Sequence, residues 1–241
     1  MPSSAAVTPC PGRPPAAPRP AWPAPERVLT VPPYDAPGAG QFGILFVCTG
    51  NMCRSVLAER LARRGLRARL GADACQFRTA SAGTEGLDGC SLHPYTAEAL
   101  TWLGADAEGF ASHELTAADV DAADLVLAAC QEHRNQVVAM RPGASRRAYL
   151  LREFARLVAY APGTAAGLSA IDQARQLVDE VARLRGRVPY VEPVEDEIAD
   201  PAASQAAFLD CALAIDAVVS EALDALCPRL PGGQHRGQNA R

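Results

Sequence analysis

The sequence predicts an α/β protein: a single three-layer domain with a four-stranded parallel sheet and helices on both faces. Three observations carry this. Of 241 residues, 49% are apolar, enough for a substantial core. From residue 42 onward, short apolar or alternating runs take turns with segments of helical spacing, the pattern of parallel strands joined by helical crossovers. The first apolar run, Ile44-Leu45-Phe46-Val47, ends in the loop Cys48-Thr49-Gly50-Asn51-Met52-Cys53-Arg54-Ser55, which leads into a helix.

Each element has its own signal. Residues 43–47 form strand one, and helix one runs to about residue 66 with Leu57 and Leu61 one turn apart. Phe77-Arg78-Thr79-Ala80-Ser81-Ala82 alternates and stops at Gly83, giving strand two. Pro94 opens a helix that ends near Gly104, and Thr116 caps a short helix over 117–122. Asp124-Leu125-Val126-Leu127-Ala128-Ala129 is strand three, followed by a helix to Met140 and a turn at Pro142-Gly143. Ala148-Tyr149-Leu150-Leu151 is strand four. A helical insertion over about 160–187 follows, with a linker at 161–167 and Ile171, Ala174, Val178 and Val181 on one helical face. The acidic loop 188–201, with Glu195-Asp196-Glu197, is expected to be solvated. The final helix carries Phe208, Cys211, Ile215, Val218 and Ala222 on one face and is expected to pack on the sheet.

The domain spans residues 41–228. Residues 1–40 hold 12 of the 20 prolines, so this segment is read as a disordered or polyproline-like tail. Residues 229–241 are read as a second disordered tail. Alanine, glycine, proline and arginine are abundant and lysine is absent, the signature of a GC-rich coding bias. A formal net charge of −4 argues against a nucleic-acid partner. The eight cysteines show no CxxC and no zinc-type Cys/His spacing. With no secretory h-region and no membrane-length apolar run, the expected setting is cytoplasmic, without membrane association.

The loop carries the chemistry. A helix N-terminus presents free N–H groups and the positive end of a dipole, which suit both a thiolate at Cys48 and a bound phosphate. Attack on a phosphate monoester needs an ionised nucleophile and donors that absorb charge on the transferring group. Cys48 is the candidate nucleophile. The backbone of Thr49, Gly50, Asn51, Met52, Cys53 and Arg54 is the candidate phosphate cradle, with the Arg54 fork gripping two oxygens. Gly50 is expected to supply unusual dihedrals, Asn51 to tolerate the left-handed region, and Ser55 to steady the sulfur. A leaving group needs a general acid, and Asp200, followed by Pro201, is the candidate. His93, His113 and His133 share no spacing and are not read as bases or ligands.

With these residues in place, the sequence resembles the low-molecular-weight protein tyrosine phosphatase family over roughly residues 42–226. The resemblance rests on Cys48-Thr49-Gly50-Asn51-Met52-Cys53-Arg54-Ser55 with Ala58-Glu59, on Ser81-Ala82-Gly83-Thr84, on Asp124-Leu125-Val126-Leu127, and on Asp200-Pro201 late in the chain. It implies a protein tyrosine phosphatase that works through a phosphocysteine on Cys48, with Arg54 and the loop amides holding the phosphoryl group and Asp200 as acid and then base. It implies no metal and no cofactor. The implied substrate is a phosphotyrosine protein or another phosphomonoester. It further implies that Cys53 can pair with Cys48 in a reversible disulfide.

The chain departs from the family where aromatic residues often follow the Asp-Pro. Ala202-Ala203-Ser204 stand there, and Tyr190 of the acidic loop is the aromatic candidate to replace them. Two other functions compete. Arsenate reduction on the same fold uses a cysteine relay; Cys130 sits at its second position, but Val137 stands at the third. A non-catalytic phosphoprotein-binding module is the other.

Overall fold

The computed structural model describes residues 40–86, 88–163 and 167–227. The expected tails at 1–40 and 229–241, apart from residue 40, and part of the 161–167 linker lie outside the described residues. Strands β1 (Phe42–Cys48), β2 (Phe77–Gly83), β3 (Leu125–Ala128) and β4 (Ala148–Leu150) pair in parallel in the order β2-β1-β3-β4. From β1 the chain first builds outward to β2, then returns to lay β3 and β4 on the other side. The strand order therefore reverses between β1 and β3. In open parallel sheets a ligand crevice lies beyond the carboxyl ends of the strands at such a point, and Cys48 is the last residue of β1.

All seven residues of β1 are buried, as expected for a central strand covered on both faces. Phe42, Ile44, Phe46 and Cys48 share one core with Leu57, Leu61, Leu100, Phe154, Val181 and Ile215. Leu45, Val47 and Val126 share the other with Leu115, Val120 and Val137. The first core is covered by α1 (Arg54–Leu70), α2 (Pro94–Trp102), α5 (Leu151–Val158), α6 (Ala170–Leu184) and α7 (Gln205–Leu226). The second lies under α3 (Ala117–Ala122) and α4 (Gln131–Met140). Thr116 caps α3 through a reciprocal capping box with Asp119.

The structure corrects or extends the sequence reading in four places. β4 stops at Leu150, and Leu151 opens α5, which was not anticipated. The Leu150 N–H donates to the Glu153 carboxylate at 3.0 Å, so the chain turns from strand to helix without a linker. The helix of the insertion, α6, belongs to the main core: Ile171, Ala174, Leu177, Val178 and Val181 are buried with residues of α5 and α7. The last helix packs chiefly on α1, α2, α5 and α6 rather than on the strands. Its buried face is Phe208, Ala212, Ile215, Val219, Ala222, Leu223 and Leu226, leaving Cys211 and Val218 half-buried. Finally, the 195–197 stretch is not a solvated loop. Asp196 is buried and ion-paired to Arg156 of α5 at 2.6 Å, Glu197 accepts the Gln131 N–H of α4 at 3.0 Å, and the Ile198 N–H donates to the Ala129 carbonyl at 2.8 Å.

Candidate active site

The loop from Cys48 to Arg54 is held from outside by its carbonyls. The Cys48 carbonyl accepts from Thr84 N–H (2.9 Å), that of Thr49 from Glu85 (2.9 Å), that of Met52 from His93 (3.3 Å) and that of Cys53 from Leu57 (2.8 Å). In a planar trans peptide the N–H points opposite to the C=O. The N–H groups of Thr49, Gly50, Cys53 and Arg54 are therefore turned away from these supports, toward the inside of the loop. This is the arrangement that cradles an anion.

The tight backbone turn falls on Asn51, not on Gly50. Asn51 has φ +51°, the one non-glycine residue with positive φ among the described residues, while Gly50 is not among the positive-φ glycines. Asn51 is fully buried and its side chain explains why it can stay there. Its Nδ2 donates to Ser55 Oγ at 3.0 Å, and its Oδ1 accepts the His113 N–H at 2.8 Å. With one Ser55 lone pair taken by Asn51, the hydroxyl proton is free to donate to Cys48 Sγ, 2.9 Å away. The glycine that the loop does require is Gly83, at the end of β2.

Arg54, the first residue of α1, is 8% exposed and held on three sides. Its Nε lies 3.0 Å from Asp200 Oδ1, Nη1 donates to the Ile198 carbonyl at 3.2 Å, and Nη2 donates to Thr49 Oγ1 at 3.3 Å. A guanidinium has five N–H donors; one on each terminal nitrogen is left for a ligand. Asp200, well exposed, reaches this arginine because residues 196–198 are pinned to α5, α4 and the end of β3. The structure thus brings Cys48, Thr49, Asn51, Arg54, Ser55 and Asp200 into one constellation. Cys53 is packed against the main core, and neighbouring Cys211 of α7, together with burial and the nearby Cys48, pushes its pKa up. Among the described residues no group of three or more His, Cys, Asp or Glu is placed to hold a metal ion, and no helix is long and apolar enough to cross a membrane.

Two histidines set aside on sequence grounds sit against the loop. His133, on the first turn of α4, places Nε2 2.9 Å from Thr49 Oγ1 and Nδ1 3.1 Å from Cys130 Sγ. Burial, and then the nearby Arg54 cation, lower its pKa to about 4. His113 supports Asn51 through its backbone, while its ring contacts Asp119 at 2.8 Å. That hydrogen bond raises the His113 pKa. No local spacing marks either residue; both reach the loop through strand pairing. Tyr190 is 78% exposed and, among the described residues, its hydroxyl donates to Glu192 at 3.1 Å. A ring cluster borders the loop at His93, which stacks on Phe208 at 4.1 Å between centroids, with Tyr95 edge-on to Phe208 at 5.6 Å. His93 is the residue whose N–H holds the Met52 carbonyl.

Comparison with known proteins places this geometry. Residues 43–162 match the family model described as low molecular weight phosphotyrosine protein phosphatase. The chain is 38% identical over 99 residues to the low molecular weight protein-tyrosine-phosphatase Etp of Escherichia coli (strain K12), a match covering 41% of this chain and 62% of Etp. It is 30% identical over 110 residues to the probable low molecular weight protein-tyrosine-phosphatase EpsP of Ralstonia solanacearum, covering 46% of this chain and 70% of EpsP. In fold it is similar to the YwlE arginine phosphatase of Geobacillus stearothermophilus, with a TM-score of 0.52 at 22% identity over 75% of this chain and 89% of that one. Asp200 lies beyond the matched span, and its ion pair with Arg54 is what joins it to the loop. The loop, the parallel sheet that carries it and these relatives agree: the chain belongs to the low molecular weight phosphotyrosine protein phosphatase family.

Proposed function

We propose that this protein hydrolyses phosphomonoesters, with protein phosphotyrosine as its substrate class, through a covalent phosphocysteine on Cys48. The observation that carries the reading is the meeting of Cys48, hydrogen-bonded to Ser55 at 2.9 Å, with Arg54 and Asp200 around a loop whose amides face inward. The Cys48 thiolate attacks phosphorus in line, the ester P–O bond breaks, and the departing oxygen takes its proton from Asp200. Water then attacks the phosphocysteine, gives its proton to the Asp200 carboxylate, and releases phosphate and the thiolate. Arg54 and the loop amides stabilise the equatorial oxygens in both steps. Ser55 donates to the sulfur when it becomes a leaving group. The ring cluster that begins at His93, whose N–H holds the Met52 carbonyl, supports the reading of an aryl ester. The proposed setting is cytoplasmic, where Cys48 stays reduced.

Arsenate reduction is disfavoured because Val137, where a third cysteine would be needed, is fully buried in the core under α4. The test is turnover of p-nitrophenyl phosphate and of a phosphotyrosine peptide by the purified protein under reducing conditions, with phosphoarginine and arsenate plus thioredoxin as parallel arms. The expected result is EDTA-insensitive hydrolysis of the two aryl phosphates, abolished by Cys48→Ser. Turnover confined to phosphoarginine or arsenate would overturn the proposal.

A further inference from the structure

One buried side chain next to the loop has no part in the steps above. His133 is 3% exposed, and both ring nitrogens are engaged. The contacts form an unbroken line: Arg54 Nη2 to Thr49 Oγ1 at 3.3 Å, Thr49 Oγ1 to His133 Nε2 at 2.9 Å, and His133 Nδ1 to Cys130 Sγ at 3.1 Å. Arginine can only donate, so the Thr49 oxygen accepts from it. Either neutral tautomer of the imidazole then completes the line, one passing the Thr49 proton toward Nε2 and the other accepting a proton from Cys130. A charged ring here would stand against the Arg54 cation and disfavour the same network.

The placement of the three supports of Arg54 gives this line its significance. Two of them, Asp200 and the Ile198 carbonyl, belong to the segment that delivers the acid. Among the described residues, Thr49 alone ties the guanidinium to the phosphate loop itself. A bound phosphoryl group competes with Asp200 for Arg54, and the Thr49 contact then carries more of the orientation. A threonine hydroxyl rotates unless something holds it; His133 is what holds it. Resting on the function proposed above, we propose that His133 is a positioning residue that fixes Thr49, and through it aims the Arg54 fork at the phosphoryl group, with Cys130 anchoring the far side of the ring.

The experiment measures inorganic phosphate affinity by calorimetry and p-nitrophenyl phosphate kinetics for the full chain and for His133→Leu, His133→Gln, Thr49→Val and His133→Leu/Thr49→Val. One hydrogen bond's contribution to orientation sets the scale at roughly tenfold. His133→Leu and Thr49→Val should each weaken phosphate binding and lower kcat/KM by roughly that factor. Acting through one another, they should be non-additive, the double variant losing no more than the worse single one. His133→Gln, whose amide can still reach the Thr49 hydroxyl, should recover most of the loss. A folded His133→Leu protein with unchanged phosphate affinity, or a double variant whose losses multiply, would overturn the proposal. If His133→Leu does not fold by circular dichroism, Thr49→Val decides: unchanged phosphate affinity in that variant is equally fatal. Phosphate binding reads His133 even if no ester is hydrolysed, so the failure of this proposal and that of the phosphatase reading are told apart.

Discussion

A β-carbon placed on Gly83 would lie 2.6 Å from the Thr49 carbonyl oxygen, 2.9 Å from the Asn51 nitrogen and 3.0 Å from the Gly50 carbonyl carbon. All three are backbone atoms of the phosphate loop, so no side chain can swing aside to make room. Gly83→Ala should therefore push the loop off its geometry at a cost of about 1–3 kcal/mol. Activity on p-nitrophenyl phosphate should fall as well, roughly a hundredfold, because displacing reacting groups by an ångström has that effect. Thermal melting and steady-state kinetics on the same preparation check both halves.

Asp200 is the proton donor in the proposed steps and touches Arg54 in the free protein. Asp200→Asn should lower kcat for an alkyl or phenyl phosphate by roughly a hundredfold or more, and much less for p-nitrophenyl phosphate, whose leaving group needs little protonation. Removing the carboxylate should leave phosphate affinity unchanged or improved, since a competitor for Arg54 is gone. Equal losses across leaving groups would show that Asp200 is not the acid.

Asn51 combines a left-handed backbone with two buried hydrogen bonds. Asn51→Ala loses the bonds and keeps the strained backbone, for an expected destabilisation of about 3 kcal/mol. Asn51→Gly relieves the strain but still releases Ser55 and the His113 N–H. It should be the more stable of the two in urea denaturation, yet nearly as impaired in turnover.

The Arg156–Asp196 pair lies outside the proposed catalytic constellation and holds the segment that leads to Asp200 against α5. Arg156→Ala leaves the Asp196 carboxylate buried without its partner. We expect the chain around Asp200 to loosen, with kcat for phenyl phosphate falling about tenfold and phosphate affinity little changed. Loss of phosphate affinity of the same size would mean that Arg156 supports the loop instead.

Stability should respond to acid through the two histidines with opposite signs. His133 is held below its ordinary value of 6.5, to about 4, by burial and Arg54. Its contribution is complete above pH 6.5 and is lost as pH falls toward 4, by about 3 kcal/mol at most. His113 is raised by its bond to Asp119, so its contribution is complete below pH 6.5 and is lost as pH rises through its own folded value. Urea denaturation of the His133→Gln variant should show a flatter decline between pH 6.5 and 4 than the unmodified chain.

The parts of the molecule that were legible in the sequence are those whose cause is local. Cys48, Arg54 and Ser55 lie within one turn of loop and helix, so their spacing announces their proximity. Thr116 stands directly before α3 and caps it through Asp119, three residues on. The parts that were not legible depend on pairing across the sheet. Parallel pairing of β1 with β3 carries α4 up to the loop, and only then does His133 meet Thr49. Gly83 is paired with Cys48, so its lack of a side chain matters to residues more than thirty positions earlier in the chain. Asp196 looks like one more charge in an acidic loop until α5, itself hidden in what reads as the end of a strand, supplies Arg156. The left-handed backbone at Asn51 was within reach of the sequence, but Gly50 tolerates positive φ as well; the buried partners of the Asn51 side chain account for its falling on Asn51 and not on Gly50.

The anchoring of residues 196–198 has a consequence for how this chain tolerates change. Asp196, Glu197 and Ile198 are fastened to Arg156, Gln131 and Ala129, all of which precede α6. Asp200, the proposed proton donor, thus takes its coordinates from the sheet and its first helices, not from the stretch of polypeptide that leads to it. Connections on either side of α6 can lengthen or shorten, as surface loops cheaply do, while the distance between donor and nucleophile stays constant. That makes the connections flanking α6, rather than the core-packed helix itself, the place where new surface can be added without retuning the reaction.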